Sequence, residues 1–118
     1  MGKKDYAFRL YGKFENIIDL EFDDPENINS GLNLITNLQE GTKSLILKNI
    51  NPLEYFTSKI ETLRNCVITG DEICGGVIPV DSFERKWREH TGRLYQYLAS
   101  ESDIVDRIFA GLAIRLKG

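Results

Sequence analysis

Between an apolar run and an amphipathic stretch the chain reads Gly70-Asp71-Glu72-Ile73-Cys74-Gly75-Gly76-Val77-Ile78-Pro79. Closely spaced glycines let a backbone approach phosphate oxygens, so the segment raises the question of whether it cradles a nucleotide. A cradle of the GxxxxGK type also needs a lysine and a helix that starts at once. This loop has no lysine, and the helix signal comes only after Ile78-Pro79. Its own side chains, Asp71 and Glu72, repel phosphate unless a metal stands between them. The dinucleotide fingerprint GxGxxG is absent too. Asp71 and Glu72 are hard oxygen donors of the kind Mg²⁺ takes, but adjacent carboxylates in a glycine-rich turn are expected simply to be solvated.

No other group of residues assembles chemistry. His90, the only histidine, falls near an apolar helical stripe, with no second histidine, cysteine or carboxylate spaced to make a ligand set. Packing or partial exposure is the expectation for it. Cys66 and Cys74 form neither a CxxC pair nor a disulfide framework, so two reduced thiols are expected. Trp87, Tyr95 and Tyr97 could face a flat ligand, yet core burial accounts for Trp87 and Tyr97. Arg85, Lys86, Arg88 and Arg93 alternate with acids, as on a solvated helix face. Nucleophile, base and orienting acid do not come together, so the residues themselves assign no catalytic group, no metal site and no cofactor.

The elements that would position these residues follow from periodicity. Tyr6, Phe8 and Leu10, then Ile18, Leu20 and Phe22, alternate with polar neighbours and predict an N-terminal hairpin turning near Gly12-Lys13. Ile28, Leu32, Ile35 and Leu38 recur at helical spacing and predict a helix stopped by Glu40-Gly41. The run Ser44 to Ile50 suits a buried strand. Asn51-Pro52 opens a helix carrying Leu53, Phe56, Ile60 and Leu63, since proline is tolerated in a first turn. Cys66 to Thr69 predicts a strand. Asp81-Ser82-Phe83-Glu84 has capping-box spacing and starts a helix to about Ala99, with Phe83, Trp87, Leu94, Tyr97 and Leu98 on one stripe. Glu84 with Arg88 and Glu89 with Arg93 pair at i,i+4 on its other face. The end, "DIVDRIFAG" and "LAIRLKG", predicts two strands around a glycine break. Strands alternating with helices give an α/β layer structure, a small sheet with flanking helices.

At 118 residues the chain is expected to be one domain, 1–118, with a single core. A net charge of −3 and no long Lys/Arg run argue against nucleic-acid or anionic-membrane partners. No apolar stretch approaches the ~20 residues of a bilayer span, and "MGKKDYAFRLYG" lacks the apolar segment of a secretory signal, so a cytoplasmic location is expected.

Residues 66–118 resemble the C-terminal part of the bifunctional adenosylcobinamide kinase and adenosylcobinamide-phosphate guanylyltransferase family of cobalamin biosynthesis. That family has an apolar strand, an Asn-Glu-Val-Gly-x-Gly-Val-Val-Pro loop, a helix with Arg-x-Phe-Arg-Asp and Gly-Arg-x-Asn-Gln, and a final strand followed by Gly and a terminal Lys. The corresponding segments here are "GDEICGGVIP", "RKWREHTGRLYQYLA" and "IVDRIFAGLAIRLKG". Glu72, Gly76, Pro79, Arg85, Arg88, Gly92, Arg93, Gln96, Leu98, Ala99, Gly111 and Lys117 keep the family's residue types. Asp71 stands where Asn is usual, Cys74 where Gly is usual and Tyr95 where Asn is usual.

The resemblance implies a reduced RecA-like, P-loop-NTPase-type domain without the phosphate loop. The family's Gly-Lys-Ser loop and guanylylated histidine have no counterpart among these residues: Gly12-Lys13 is followed by Phe14, and His90 lies in the C-terminal helix. Lys48 falls about where the family's metal-binding Asp would be, and a lysine cannot coordinate Mg²⁺. The chain is shorter by roughly a third than a full enzyme of this kind, as expected if the first phosphate-loop unit is lost. The resemblance therefore implies a non-catalytic relative that binds a protein partner, or a corrinoid or nucleotide ligand. Glu72, Arg93 and Gln96 are its expected ligand contacts, and self-association is expected as in full-length relatives. The alternatives are residual kinase or guanylyltransferase activity completed by another subunit, and a scaffold or regulatory role unconnected to cobalamin.

Overall fold

The computed structural model describes residues 3–73, 81–109 and 112–118. Three short parallel strands form its central sheet: β1 (Asn16–Asp19), β2 (Asn33–Thr36) and β3 (Val67–Ile68), in the order β1-β2-β3. Asn16 pairs with Asn33 and Asp19 with Thr36, while Leu34 and Ile35 pair with Val67 and Ile68. The ladder reaches past the strand ends through Leu20 N–H to Thr36 O at 2.9 Å and Leu38 N–H to Thr69 O at 3.1 Å. All four residues of β2 are buried.

Helices cover this sheet. α2 (Leu38–Leu47) and α3 (Pro52–Ser58) follow β2, and α4 (Ser82–Glu101) packs against both. Leu20, Ile28, Ile35, Leu38, Leu45, Phe56, Leu63 and Leu94 form one buried cluster. Phe56 and Leu94 are fully buried, so α3 and α4 each drive one anchor into it. Truncating either to alanine is expected to cost about 2–5 kcal/mol. A separate two-stranded antiparallel sheet follows α4: β4 (Val105–Phe109) with β5 (Leu112–Lys117), Asp106 opposite Arg115. The Lys117 ammonium donates to the carbonyls of Ala99 and Ser100 at 3.1 and 3.2 Å, satisfying acceptors left open at the end of α4.

The α/β class stands, as do four predicted elements. The strand around Cys66–Thr69 is β3. Asn51 caps α3 by accepting from Glu54 N–H at 3.2 Å, although α3 ends at Ser58 and Ile60 and Leu63, expected on it, lie in the turns that follow. Asp81 caps α4 by accepting from Phe83 N–H at 2.8 Å. The terminal hairpin is β4–β5. Both i,i+4 ion pairs of α4 also form, Arg88 with Glu84 at 3.0 Å and Arg93 with Glu89.

The N-terminal half corrects the sequence expectation in three places. Residues 6–11 are not a strand of a hairpin but part of a helix, α1 (Lys3–Tyr11), and the following strand is β1, four residues from Asn16. Of α1 only Ala7 is buried, so the alternating aromatics reflect no sheet face. The helix expected over Ile28 to Leu38 gives way to the 3₁₀ turn Pro25–Asn27 and to β2. A central parallel strand is buried on both sides and shows no alternation, which left helical spacing as the stronger pattern. Of the strand expected over Ser44 to Ile50, Ser44 to Leu47 form the end of α2, which runs straight through Gly41, and the rest is the turn after it. That glycine marks close packing rather than a stop, because a Cβ there would lie 2.6 Å from Leu20 Cδ1.

Among the described residues, no helix is long and apolar enough to cross a membrane. The loop segment Cys74–Pro79 and the break Ala110–Gly111 lie outside the described residues.

Candidate functional site

A cleft of about 850 Å³ opens where α1, β3, α4 and the β4–β5 hairpin meet. Its walls are apolar, with Ala7, Val67, Ile68, Leu98, Ile108 and Leu116 among them. Most of the lining comes from residues 66–118, with α1, Leu38 and the segment Ile60–Arg64 supplying the rest. Its size lies in the range of small-molecule pockets, which are mostly apolar and carry a few convergent polar groups.

α1 closes one side through two side-chain tethers. Lys3 Nζ donates to Asp71 Oδ1 at 2.7 Å, and Tyr6 Oη donates to Asp106 Oδ2 at 2.8 Å. Asp106 also receives the Arg115 guanidinium, so helix, hairpin and carboxylate form one network. The hydrogen bond to Asp106, with burial in support, pushes the Tyr6 phenol above its ordinary value. Tyr6 is therefore a hydroxyl donor, not a phenolate, at neutral pH.

The loop after β3 is pinned as closely. Gln39, buried at the start of α2, accepts from Asp71 N–H at 2.9 Å, and Tyr95 Oη donates to Asp71 O at 2.6 Å. Gly70 makes this possible: a Cβ there would run into the Tyr95 hydroxyl and lie 3.0 Å from Tyr95 Cζ and 3.1 Å from Leu38 Cβ. Trp87 braces the other side of Gln39, its indole N–H donating to the Gln39 carbonyl at 2.8 Å while the Lys43 ammonium sits 5.1 Å from its ring centre. The backbone entering the loop is thus held by an amide and a phenol.

The expected ligand contacts do not gather in one place. Glu72 lines the cleft, whereas Arg93 is exposed and ion-paired to Glu89 one turn earlier, and Gln96 is exposed on α4. Neither Arg93 nor Gln96 borders the cleft. Lys48 closes the end of α2 and contacts Asp24 at 2.5 Å and Glu26 at 3.1 Å. His90 is half-buried on α4, as expected. Cys66 lines the cleft as a free thiol; burial pushes its pKa up, which keeps it protonated and weakly nucleophilic. Cys74 lies outside the described residues. Among the described residues no three His, Cys, Asp or Glu side chains cluster as metal ligands would.

Sequence reasoning missed Lys3, Tyr6 and Asp106, which owe their roles to a helix read as a strand. It saw Tyr95 only as an aromatic. The available signal was Gly70, since a glycine at a strand end often marks close approach of another group. What the site can do is enclose an apolar body between tethered walls and meet it with hydroxyls and carboxylates. No protein-family model matches the chain, and no curated protein is significantly similar to it.

Proposed function

We propose that this chain is a non-catalytic relative of the adenosylcobinamide kinase and guanylyltransferase enzymes, built on a reduced RecA-like scaffold, which acts by holding a ligand or partner linked to cobalamin biosynthesis. One observation carries the reading. The segment with the family's motif pattern, residues 66–118, supplies most of the wall of the 850 Å³ cleft, while cationic residues able to grip a triphosphate are engaged elsewhere. Arg93 holds Glu89, Arg88 holds Glu84 and Lys48 holds Asp24 and Glu26. Phosphoryl transfer depends on positioning and charge neutralisation around the phosphates, and these 118 residues contain no Gly-Lys-Ser loop to begin it.

A turnover assay tests this. The purified chain, incubated with cobinamide, Mg²⁺ and radiolabelled ATP or GTP, is expected to yield no labelled corrinoid. Labelled cobinamide phosphate or a guanylylated product would replace the proposal with a retained enzyme activity.

A further inference from the structure

The cleft's charges select its occupant. Four carboxylates, Glu72, Glu101, Asp103 and Asp106, border it, against two cations, Lys3 and Arg64. Both cations are already paired: Lys3 with Asp71 at 2.7 Å and Arg64 with Glu61 at 2.8 Å. Asp106 is answered by Arg115 and Tyr6, and Glu101 lies in the field of Arg64, which Glu61 already holds, so the mouth near the end of α4 keeps an excess of negative charge from Glu101 and Asp103, both exposed. Beneath this rim the walls are mostly apolar, from Ala7 on α1 through Leu98 and Ala99 on α4 to Ile108 on β4. An anion entering here would meet carboxylates at the mouth and an apolar floor, and among the described lining residues both cations already hold a carboxylate. A cation on an apolar body would keep its charge at the rim and bury the rest, and burial of apolar surface is the main source of affinity for such a ligand.

We infer that this cleft binds a positively charged, predominantly apolar small molecule, its body between α1 and α4 and its cationic group against Glu101 and Asp103. The assignment rests on the cleft being the ligand site proposed above, but not on the link to cobalamin. Rim charges are solvated, so each contributes modestly, and the pair is expected to favour a cation over an anion of like size by about tenfold. Because these charges are exposed, that preference shrinks as salt screens them.

Fluorescence titration of the whole chain with two apolar dyes of opposite charge, thioflavin T and anilinonaphthalene sulfonate, reads the preference directly. The expected result is thioflavin T binding about tenfold tighter in low salt. The double variant Glu101→Gln/Asp103→Asn should bring the two affinities together. Ala99→Phe, which fills the floor, should weaken both dyes; Leu116→Arg, at an exposed position on the mouth, should weaken thioflavin T alone, and circular dichroism checks that each variant is folded. Equal affinities, tighter binding of the anionic dye, binding of neither dye, a preference untouched by the rim variant, or affinities untouched by the floor variant would overturn the assignment. A parallel titration with cobinamide separates the two ideas. Cation preference without cobinamide binding removes the cobalamin link and leaves this assignment standing, whereas cobinamide binding without cation preference does the reverse.

Discussion

The phenol of Tyr95 lies across Gly70 and donates to the carbonyl of Asp71 at 2.6 Å, so a side chain on α4 fixes the backbone leaving β3. The glycine is needed for space and not for its backbone angle, since it is absent from the positive-φ residues. Gly70→Ala is expected to destabilise the fold by about 1–3 kcal/mol, because the new methyl meets both Tyr95 and Leu38. Tyr95→Phe removes a hydrogen bond and is expected to cost about 1 kcal/mol. In a double-mutant cycle read by urea denaturation, Tyr95→Ala should relieve part of the Gly70→Ala penalty, and strict additivity would contradict this contact.

Gly41 sets two effects against each other. Alanine in a helix interior gains roughly 1 kcal/mol over glycine, yet its Cβ would sit 2.6 Å from Leu20 Cδ1 and 3.3 Å from Leu20 Cβ. Leu20 is buried in the main cluster and has little room to withdraw. Overpacking is expected to win, so thermal melting of Gly41→Ala should show a lower Tm than the parent chain.

Thr91 is fully buried on α4, and among the described residues its hydroxyl has no hydrogen-bond partner. Burying an unsatisfied hydroxyl costs about 1–3 kcal/mol. Thr91→Val keeps the shape and removes the polar atom, so stability should hold or rise by up to about 2 kcal/mol. A clear loss in denaturant midpoint would show that the hydroxyl is paired in solution.

Much of the C-terminal half could be read from sequence because its signals are local. Asp81 capping α4, Asn51-Pro52 opening α3 and the glycine between β4 and β5 act over a few residues. The N-terminal half depends on what packs where. Leu34 and Ile35 of β2 are both fully buried, which erases alternation, and Gly41 belongs to a helix that needs closeness to Leu20. For the site, Glu72 and Arg93 were both expected as ligand contacts from motif register; Glu72 lines the cleft, whereas Arg93 turns to Glu89. The cleft itself was not legible, since it exists only when α1 is folded against the hairpin through Tyr6 and Asp106.

Lys48 holds Asp24 below the ordinary carboxylate value through its hydrogen bond, helped by the Glu26 N–H. A carboxyl depressed in the folded state stabilises above its unfolded pKa, and that contribution disappears as the pH falls through the lower, folded pKa. Stability of the parent chain should therefore drop as pH is lowered below about 4. Lys48→Met lacks most of this contribution, so its stability should depend less on pH in that window. Parallel slopes in acid-dependent melting would contradict the pairing.

The central claim is that this chain binds without being built to hold a nucleoside triphosphate, and calorimetry with GTP and Mg²⁺ tests it most directly. The expected result is no measurable heat of binding at protein concentrations that would detect a micromolar complex. A saturable isotherm with micromolar affinity would contradict it.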